Sequence, residues 1–250
     1  MKDKSIIITG GAGEIGLATA KLFAEAGSHI LLVDIDEKAL KEAKSKLNSD
    51  KVEICEADVT KEEDVKKYVQ LAKEKFGQID FFFNNAGIEG EVQPLPELSM
   101  DNFDKVLKVN VYGVTLGMKH VMKSMSNSGG GSIVITSSVA GLQGTPGMTP
   151  YITSKHAVIG IMRTAALEGA KMGIRVNTVH PGVVDSRMMR SLEAGLGEDA
   201  EAVKEGFEQQ IPLGRYAQED EIADMVFFLL SEKSKYTTGA TIVVDGGLTA

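Results

Sequence analysis

The chain has 250 residues, 43% of them apolar, 25% charged and 6% aromatic. That composition excludes disorder and collagen-like structure, and a chain this long buries roughly three quarters of its unfolded surface, enough for a core without disulfide or metal staples. Its 27 basic and 35 acidic side chains leave a formal charge of −8, which makes nucleic acid and anionic membranes poor partners.

The lone Cys55 can form no internal disulfide and no multi-cysteine zinc site, so a reducing, cytoplasmic setting is expected. The opening apolar run, Ile6 to Ile8, is too short for a signal-peptide core. The longest run elsewhere, at 225–230, falls far short of the roughly 20 residues a membrane helix needs.

In chain order, a β-branched strand at 5–9 precedes a helical stretch at 15–26, and a strand at 29–34 precedes a helix carrying Ala39, Leu40, Ala43 and Leu47. A third strand covers 52–57. Thr60 to Glu63 has the form of a capping box, opening a helix with Val65, Tyr68, Val69, Ala72 and Phe76 on one face. The apolar run at 79–83 should be covered on both sides. One long helix is expected at 100–125, then a strand at 132–136, a helix at 151–172 and a strand at 175–180. A helix at 218–230 and a strand at 241–244 end the pattern. Strands alternating with helices imply repeated βαβ units, hence an α/β fold with a doubly wound parallel sheet. No composition break divides residues 1–250, which are expected to form a single domain. Residues 183–212 are too long for an ordinary connection and read as a mobile lid or a disordered insertion.

Thr9-Gly10-Gly11-Ala12-Gly13-Glu14-Ile15-Gly16 joins the first strand to the first helix. Glycines there allow a tight turn and let backbone N–H groups approach a pyrophosphate favoured by the helix N-terminus. A glycine-rich turn without a ligand fits the same residues. Asp34 ends the second strand 18 residues after Gly16, near the spacing at which an acid meets ribose hydroxyls. A carboxylate at that place repels a 2′-phosphate, so the expected cofactor is NAD rather than NADP.

Tyr151 and Lys155 stand four residues apart, on one face of a helix. An ammonium beside a phenol favours the phenolate and makes it a usable acid and base. A surface tyrosine beside a lysine explains the bare pair equally well. Ser138 just past a strand and Asn110 within a helix are each compatible with structural roles. The four histidines are scattered without ligand spacing, and no metal is expected.

Taken together, these motifs resemble the short-chain dehydrogenase/reductase family over essentially the whole chain. The ordered markers are the 9–16 loop, Asp34, Ala57-Asp58-Val59, Asn84-Asn85-Ala86-Gly87, Asn110, Ser138, Tyr151 with Lys155, Pro181-Gly182 and Val244-Asp245-Gly246-Gly247. One position departs: Glu14 replaces the family's middle glycine, and a carboxylate there repels a pyrophosphate unless its side chain points to solvent. The outer glycines of the family loop are Gly10 and Gly16, with Gly13, Glu14 and Ile15 between.

The resemblance implies a Rossmann-type NAD enzyme that moves a hydride between a secondary alcohol and a ketone. It implies that Tyr151 exchanges the proton, that Lys155 lowers the tyrosine pKa and holds the nicotinamide ribose, and that Ser138 orients the substrate oxygen. Asn110 would hold a water in a proton relay to Lys155. It further assigns Asp34 and Ile35, Asp58 and Val59, Asn84 to Gly87, and Pro181, Gly182, Val184 and Ser186 to the cofactor cleft. Ser186 stands where the family carries threonine. Met148 and Met188 join Ser138 and Tyr151 as substrate-side candidates.

Met188, Met189, Leu192 and Leu196 recur at helical spacing, either as an amphipathic lid helix or as packing against the body. A hydrophobic alcohol or ketone, cyclic ones included, fits such a wall better than an acyl-carrier-protein thioester. A 3-oxoacyl reductase of the same family and a non-catalytic NAD-binding protein are the alternatives. The expected assembly, by resemblance, is a homotetramer.

Overall fold

The computed structural model describes residues 1–196 and 200–250. Seven parallel strands form one sheet in the order β3-β2-β1-β4-β5-β6-β7. They are β1 (Ser5–Thr9), β2 (His29–Asp34), β3 (Val52–Glu56), β4 (Phe81–Asn84), β5 (Gly131–Thr136), β6 (Ile174–Pro181) and β7 (Thr241–Val244). The doubly wound parallel sheet expected from the alternating pattern is the one that forms.

Residues along a strand point alternately to opposite faces, and here both faces are covered. Ile7, Phe82, Ile133 and Val176 belong to one buried cluster, with Val65 and Tyr68 of α3 (Glu62–Phe76), Val121 of α5 (Val114–Ser126) and Met162 of α6 (Thr149–Ala170). Ile6, Ile8, Phe81 and Phe83 belong to the other. They pack with Phe23 of α1 (Glu14–Glu25), Leu40 of α2 (Glu37–Ser45) and Val226 of α9 (Glu219–Leu230). A strand buried on both sides can be apolar throughout, as 6–8 and 81–83 are.

Two local expectations are revised. The box at Thr60 does not close, because the Thr60 N–H and hydroxyl both donate to Asp58 Oδ1, at 2.9 and 2.7 Å. Such an Asx turn competes with capping. Instead Glu221 closes around the start of α9, its Oε2 accepting from Gln218 N at 2.8 Å. The single helix at 100–125 is interrupted: α4 (Met100–Leu107) passes into a π-helical turn at Lys108–Gly113 before α5. The insertion at 183–212 is largely helical, containing α7 (Arg187–Leu196) and α8 (Ala200–Gln210). Leu196 is the one apolar position of the lid pattern whose side chain lies outside the described residues. Among the described residues no helix is long and apolar enough to cross a membrane.

The carboxyl ends of β1, β4, β5 and β6 meet along one edge of the sheet, and helix α5 sets the depth of the β4 end. A Cβ on Gly117 would lie 3.0 Å from both Asn84 Nδ2 and the Phe82 ring. Gly117→Val should therefore push α5 off the sheet. Overpacking of this kind costs about 1–3 kcal/mol, which calorimetry should register as a lower melting temperature with the fold retained.

Candidate functional site

A cavity of about 740 Å³ opens along that edge, at the point where β1 has β2 on one side and β4 on the other. This reversal of strand order is where open α/β sheets bind ligands. Gly10 makes the turn out of β1 with φ +62°, a conformation suited to glycine. A Cβ there would meet Asn85 Nδ2 at 3.0 Å and Ala86 Cα at 3.1 Å. Gly16 is closed off behind the loop, its hypothetical Cβ only 2.2 Å from Gly10 O. Gly10, Gly13, Glu14 and Ile15 line the cavity, and Gly16 does not.

Asp34 also lines the cavity and anchors the loop, its Oδ2 accepting from Ala12 N at 3.2 Å and its Oδ1 from Ile35 N at 2.8 Å. Ile35, 68% exposed, stands beside it, with Asp58 and Val59 across the cleft. For Asp58, burial works against the charged form, but the hydrogen bonds from Thr60 prevail and hold the carboxyl below its ordinary range.

Asn85 ties strand ends together. Its Nδ2 donates to Thr9 O at 3.2 Å, and its Oδ1 accepts the Thr136 hydroxyl at 2.9 Å. Ala86 and Gly87 continue the cavity wall. Asn84 does not reach the cavity: its amide donates to Val114 O at 3.0 Å, joining β4 to α5.

Tyr151 and Lys155, one turn apart in α6, are both buried, with Lys155 Nζ 5.4 Å from the Tyr151 ring centre and donating to Thr136 O at 2.9 Å. Burial pushes the Tyr151 phenol up to about 12; the Ser138 hydrogen bond opposes that shift and the charge of Glu89 adds to it. Burial pushes Lys155 down to about 8. Desolvation thus governs both groups here, raising the phenol and lowering the ammonium.

Ser138 is held by His180, one of the four histidines scattered along the sequence. The carbonyl of Ser138 can only accept, so His180 Nδ1 donates to it, at 2.8 Å, while Nε2 faces the Thr178 hydroxyl at 2.8 Å. Burial lowers the His180 pKa, keeping the ring neutral at neutral pH.

Asn110 stands behind the cavity wall. Its Nδ2 donates to Ile88 O at 2.8 Å and to Ser154 Oγ at 3.0 Å, and its Oδ1 accepts from Ile88 N at 2.9 Å. The π-helical turn aims it there, which explains an asparagine within a helix. A Cβ on Gly87 would lie 3.2 Å from Asn110 Oδ1 and 3.6 Å from Lys155 Nζ, so both side chains converge behind that glycine.

Pro181 at the end of β6, with Gly182, Val184 and Ser186 beyond it, lines the cavity, as do Met148 and Met188. Met189 and Leu192 line it too while packing with Ile211 and Tyr216, so α7 is both wall and anchor. Sequence reading missed Gln143, Pro146, Phe207, Gln210 and Leu248, which also line the cavity. They come from three separated segments, and no local pattern announces them.

The protein-family profile described as Enoyl-(Acyl carrier protein) reductase matches residues 10–249. Levodione reductase of Leifsonia aquatica is 38% identical, with 99% of this chain and 95% of that protein covered. Cyclohexanol dehydrogenase of an Acinetobacter species is 37% identical, with coverage of 99% and 96%. The levodione reductase crystal structure superposes with a TM-score of 0.96 at 37% identity, covering 99% and 98% of the chains. An NAD+-bound xylitol dehydrogenase gives 0.93 at 36% identity, covering 98% and 99%.

Burial of the Lys155 ammonium opposes folding below about pH 8, and that penalty is lost as pH rises toward the ordinary lysine value of 10.5. Lys155→Met removes the penalty, so its melting temperature relative to the unsubstituted protein should be higher at pH 7 than at pH 10. A relative shift in the opposite direction by scanning calorimetry would contradict the buried ammonium. The ordered motifs, the sheet order and these likenesses together make the chain a member of the short-chain dehydrogenase/reductase family of oxidoreductases.

Proposed function

We propose that the protein is an NAD-dependent dehydrogenase or reductase that interconverts a hydrophobic, ring-sized secondary alcohol and its ketone. The observation that carries this reading is the composition of the cavity. Tyr151, Lys155 and Ser138 line it together with Met148, Met188, Met189, Leu192, Phe207 and Leu248, which add an apolar surface beside the polar groups. The names of the relatives, a dione reductase and a cyclic-alcohol dehydrogenase, support the same substrate class.

NAD fits the residues present: a glycine turn, the first-turn N–H groups of α1, an acid at the end of β2 and an exposed apolar Ile35 beside it. Bound there, it supplies or accepts the hydride. Gly10, Gly13, Glu14 and Ile15 would present backbone to its phosphates, Asp34 and Ile35 would face its adenosine ribose, and Asp58 and Val59 its adenine. Asn85, Ala86, Gly87, Pro181, Gly182, Val184 and Ser186 would frame the nicotinamide half. Gly16 and Asn84 support this cleft from behind.

In the reduction direction, Ser138 Oγ holds the carbonyl oxygen and the Tyr151 hydroxyl delivers a proton to it as the hydride reaches the carbon. A phenol held near 12 keeps its proton at neutral pH and is ready to donate. The ammonium of Lys155 stabilises the phenolate left behind. Asn110 serves as a strut for the Ile88 backbone and contributes to a relay behind Gly87.

A 3-oxoacyl thioester is the second reading, and charge disposition weighs against it. Arg190 is engaged by Asp185 and Glu193, leaving Arg187 as the arginine at the cavity wall. In the favoured reading residues 1–250 form one dinucleotide-binding domain with α7 and α8 as its lid. Self-assembly as a homotetramer is supported by the apolar groove that Met118, Met122, Ile161 and Met172 line between α5 and α6.

Tyr151→Phe should lower turnover of cyclic ketones by at least about a hundredfold while NADH still binds, as followed by its fluorescence. Near-normal turnover would refute the assignment of the proton donor. The ratio of kcat/KM for NADH over NADPH should be at least about ten, the factor that 1.4 kcal/mol of repulsion from Asp34 would supply. A preference for NADPH would overturn the cofactor reading.

A further inference from the structure

Glu14, the one departure from the family's glycine loop, does not simply point to solvent. Its Oε1 accepts a hydrogen bond from Arg187 N at 3.0 Å. Glu14 is the first residue of α1 and Arg187 the first residue of α7, so one carboxylate joins the dinucleotide loop to the start of the lid. A helix leaves its first N–H groups without intrahelical partners. Ser186 takes one, its Oγ accepting from Met189 N at 3.3 Å, and Glu14 takes another from outside the helix.

The middle of α7 is anchored separately. Glu193, 1% exposed, accepts the Tyr216 hydroxyl at 2.9 Å and Arg190 NH1 at 2.6 Å, and Met189 packs with Ile211 and Tyr216. These contacts lead to the segment before α9, away from the loop. The Glu14 carboxylate is thus the polar contact by which the first turn of α7 senses the loop that would hold the pyrophosphate.

We propose that Glu14 is a clasp, a positioning residue that seats the lid helix on the dinucleotide loop and thereby slows escape of the bound dinucleotide. A contact made only with the lid seated shifts the lid toward that position. By linkage it also favours whatever ligand holds the loop in the same geometry. The identity of the alcohol or ketone does not enter, and the lid measurement below needs no cofactor.

Hydrogen–deuterium exchange over peptides spanning 187–210 reads the lid in the protein alone, and stopped-flow fluorescence reads NADH release. Glu14→Ala should raise exchange in α7 and the NADH release rate by about tenfold, the scale of a hydrogen bond to a charged group. Glu14→Gln, which keeps an acceptor but loses the charge, should fall between. Arg187→Pro deletes the donated N–H at a helix position where proline is tolerated, so it should reproduce Glu14→Ala, whereas Arg187→Ala should not. Combining Glu14→Ala with Arg187→Pro should add nothing beyond either alone.

Unchanged exchange in Glu14→Ala, or equal effects of Arg187→Ala and Arg187→Pro, would overturn the clasp. Faster exchange with unchanged NADH release would overturn its link to the cofactor. Slower NADH release in both Glu14→Ala and Glu14→Gln with exchange unchanged would show a carboxylate that merely repels phosphate, and would also overturn it.

Discussion

The carboxamide of Asn85 is the knot on which the candidate site depends. Parallel strands end without hairpins, so the backbone beyond their carboxyl ends must be satisfied by side chains or by ligand. Asn85 does so for neighbouring strands at once, donating to the carbonyls of Thr9 and Gly10 and accepting the hydroxyl of Thr136. Thr9 answers by accepting the N–H groups of Asn85 and Ala86 on its own hydroxyl. The ends of β1, β4 and β5 are thereby held in one plane. The left-handed turn at Gly10 and the carbonyl of Thr136 that receives Lys155 are placed with them.

From that knot the electrostatics follow. Lys155 reaches back to Thr136 O from α6, and Ser137 Oγ donates to Lys155 O at 3.0 Å, so strand end and helix hold each other. The price of this placement is burial: the ammonium is easier to deprotonate and the phenol harder to ionise than either would be in water. In the proposed reduction a reluctant phenol and a nearby cation divide the work, one retaining the proton until it is needed and the other easing its loss. His180 adds rigidity without charge, locking the backbone of Ser138 from a fully buried position.

The insertion after β6 works by a different balance. Its helices contribute apolar side chains to the cavity and, through Met189 and Leu192, to a small cluster of their own with Ile211 and Tyr216. The buried Glu193 gives that cluster a polar centre whose partners are the hydroxyl of Tyr216 and the guanidinium of Arg190. A wall built this way is anchored at its middle, and Glu14 meets it at the first residue of α7.

Local information in the sequence determined the alternation of strands and helices, the continuous apolar strands and the ordered markers from Gly10 to Gly247. Period, turn chemistry and spacing are written into neighbouring residues. Tyr151 and Lys155 were legible for the same reason, since one helical turn brings them together. Tertiary structure decided the rest. The π-helical turn that aims Asn110 at Ile88 is invisible to a periodicity that tolerates one extra residue, and the apparent cap at Thr60 was lost to Asp58, an acid two residues away. Gln143, Phe207 and Leu248 share a cavity only because sheet order brings remote segments to one edge. The orientation of Glu14 depends on an N–H donor 173 residues further along the chain, a distance at which no local rule operates.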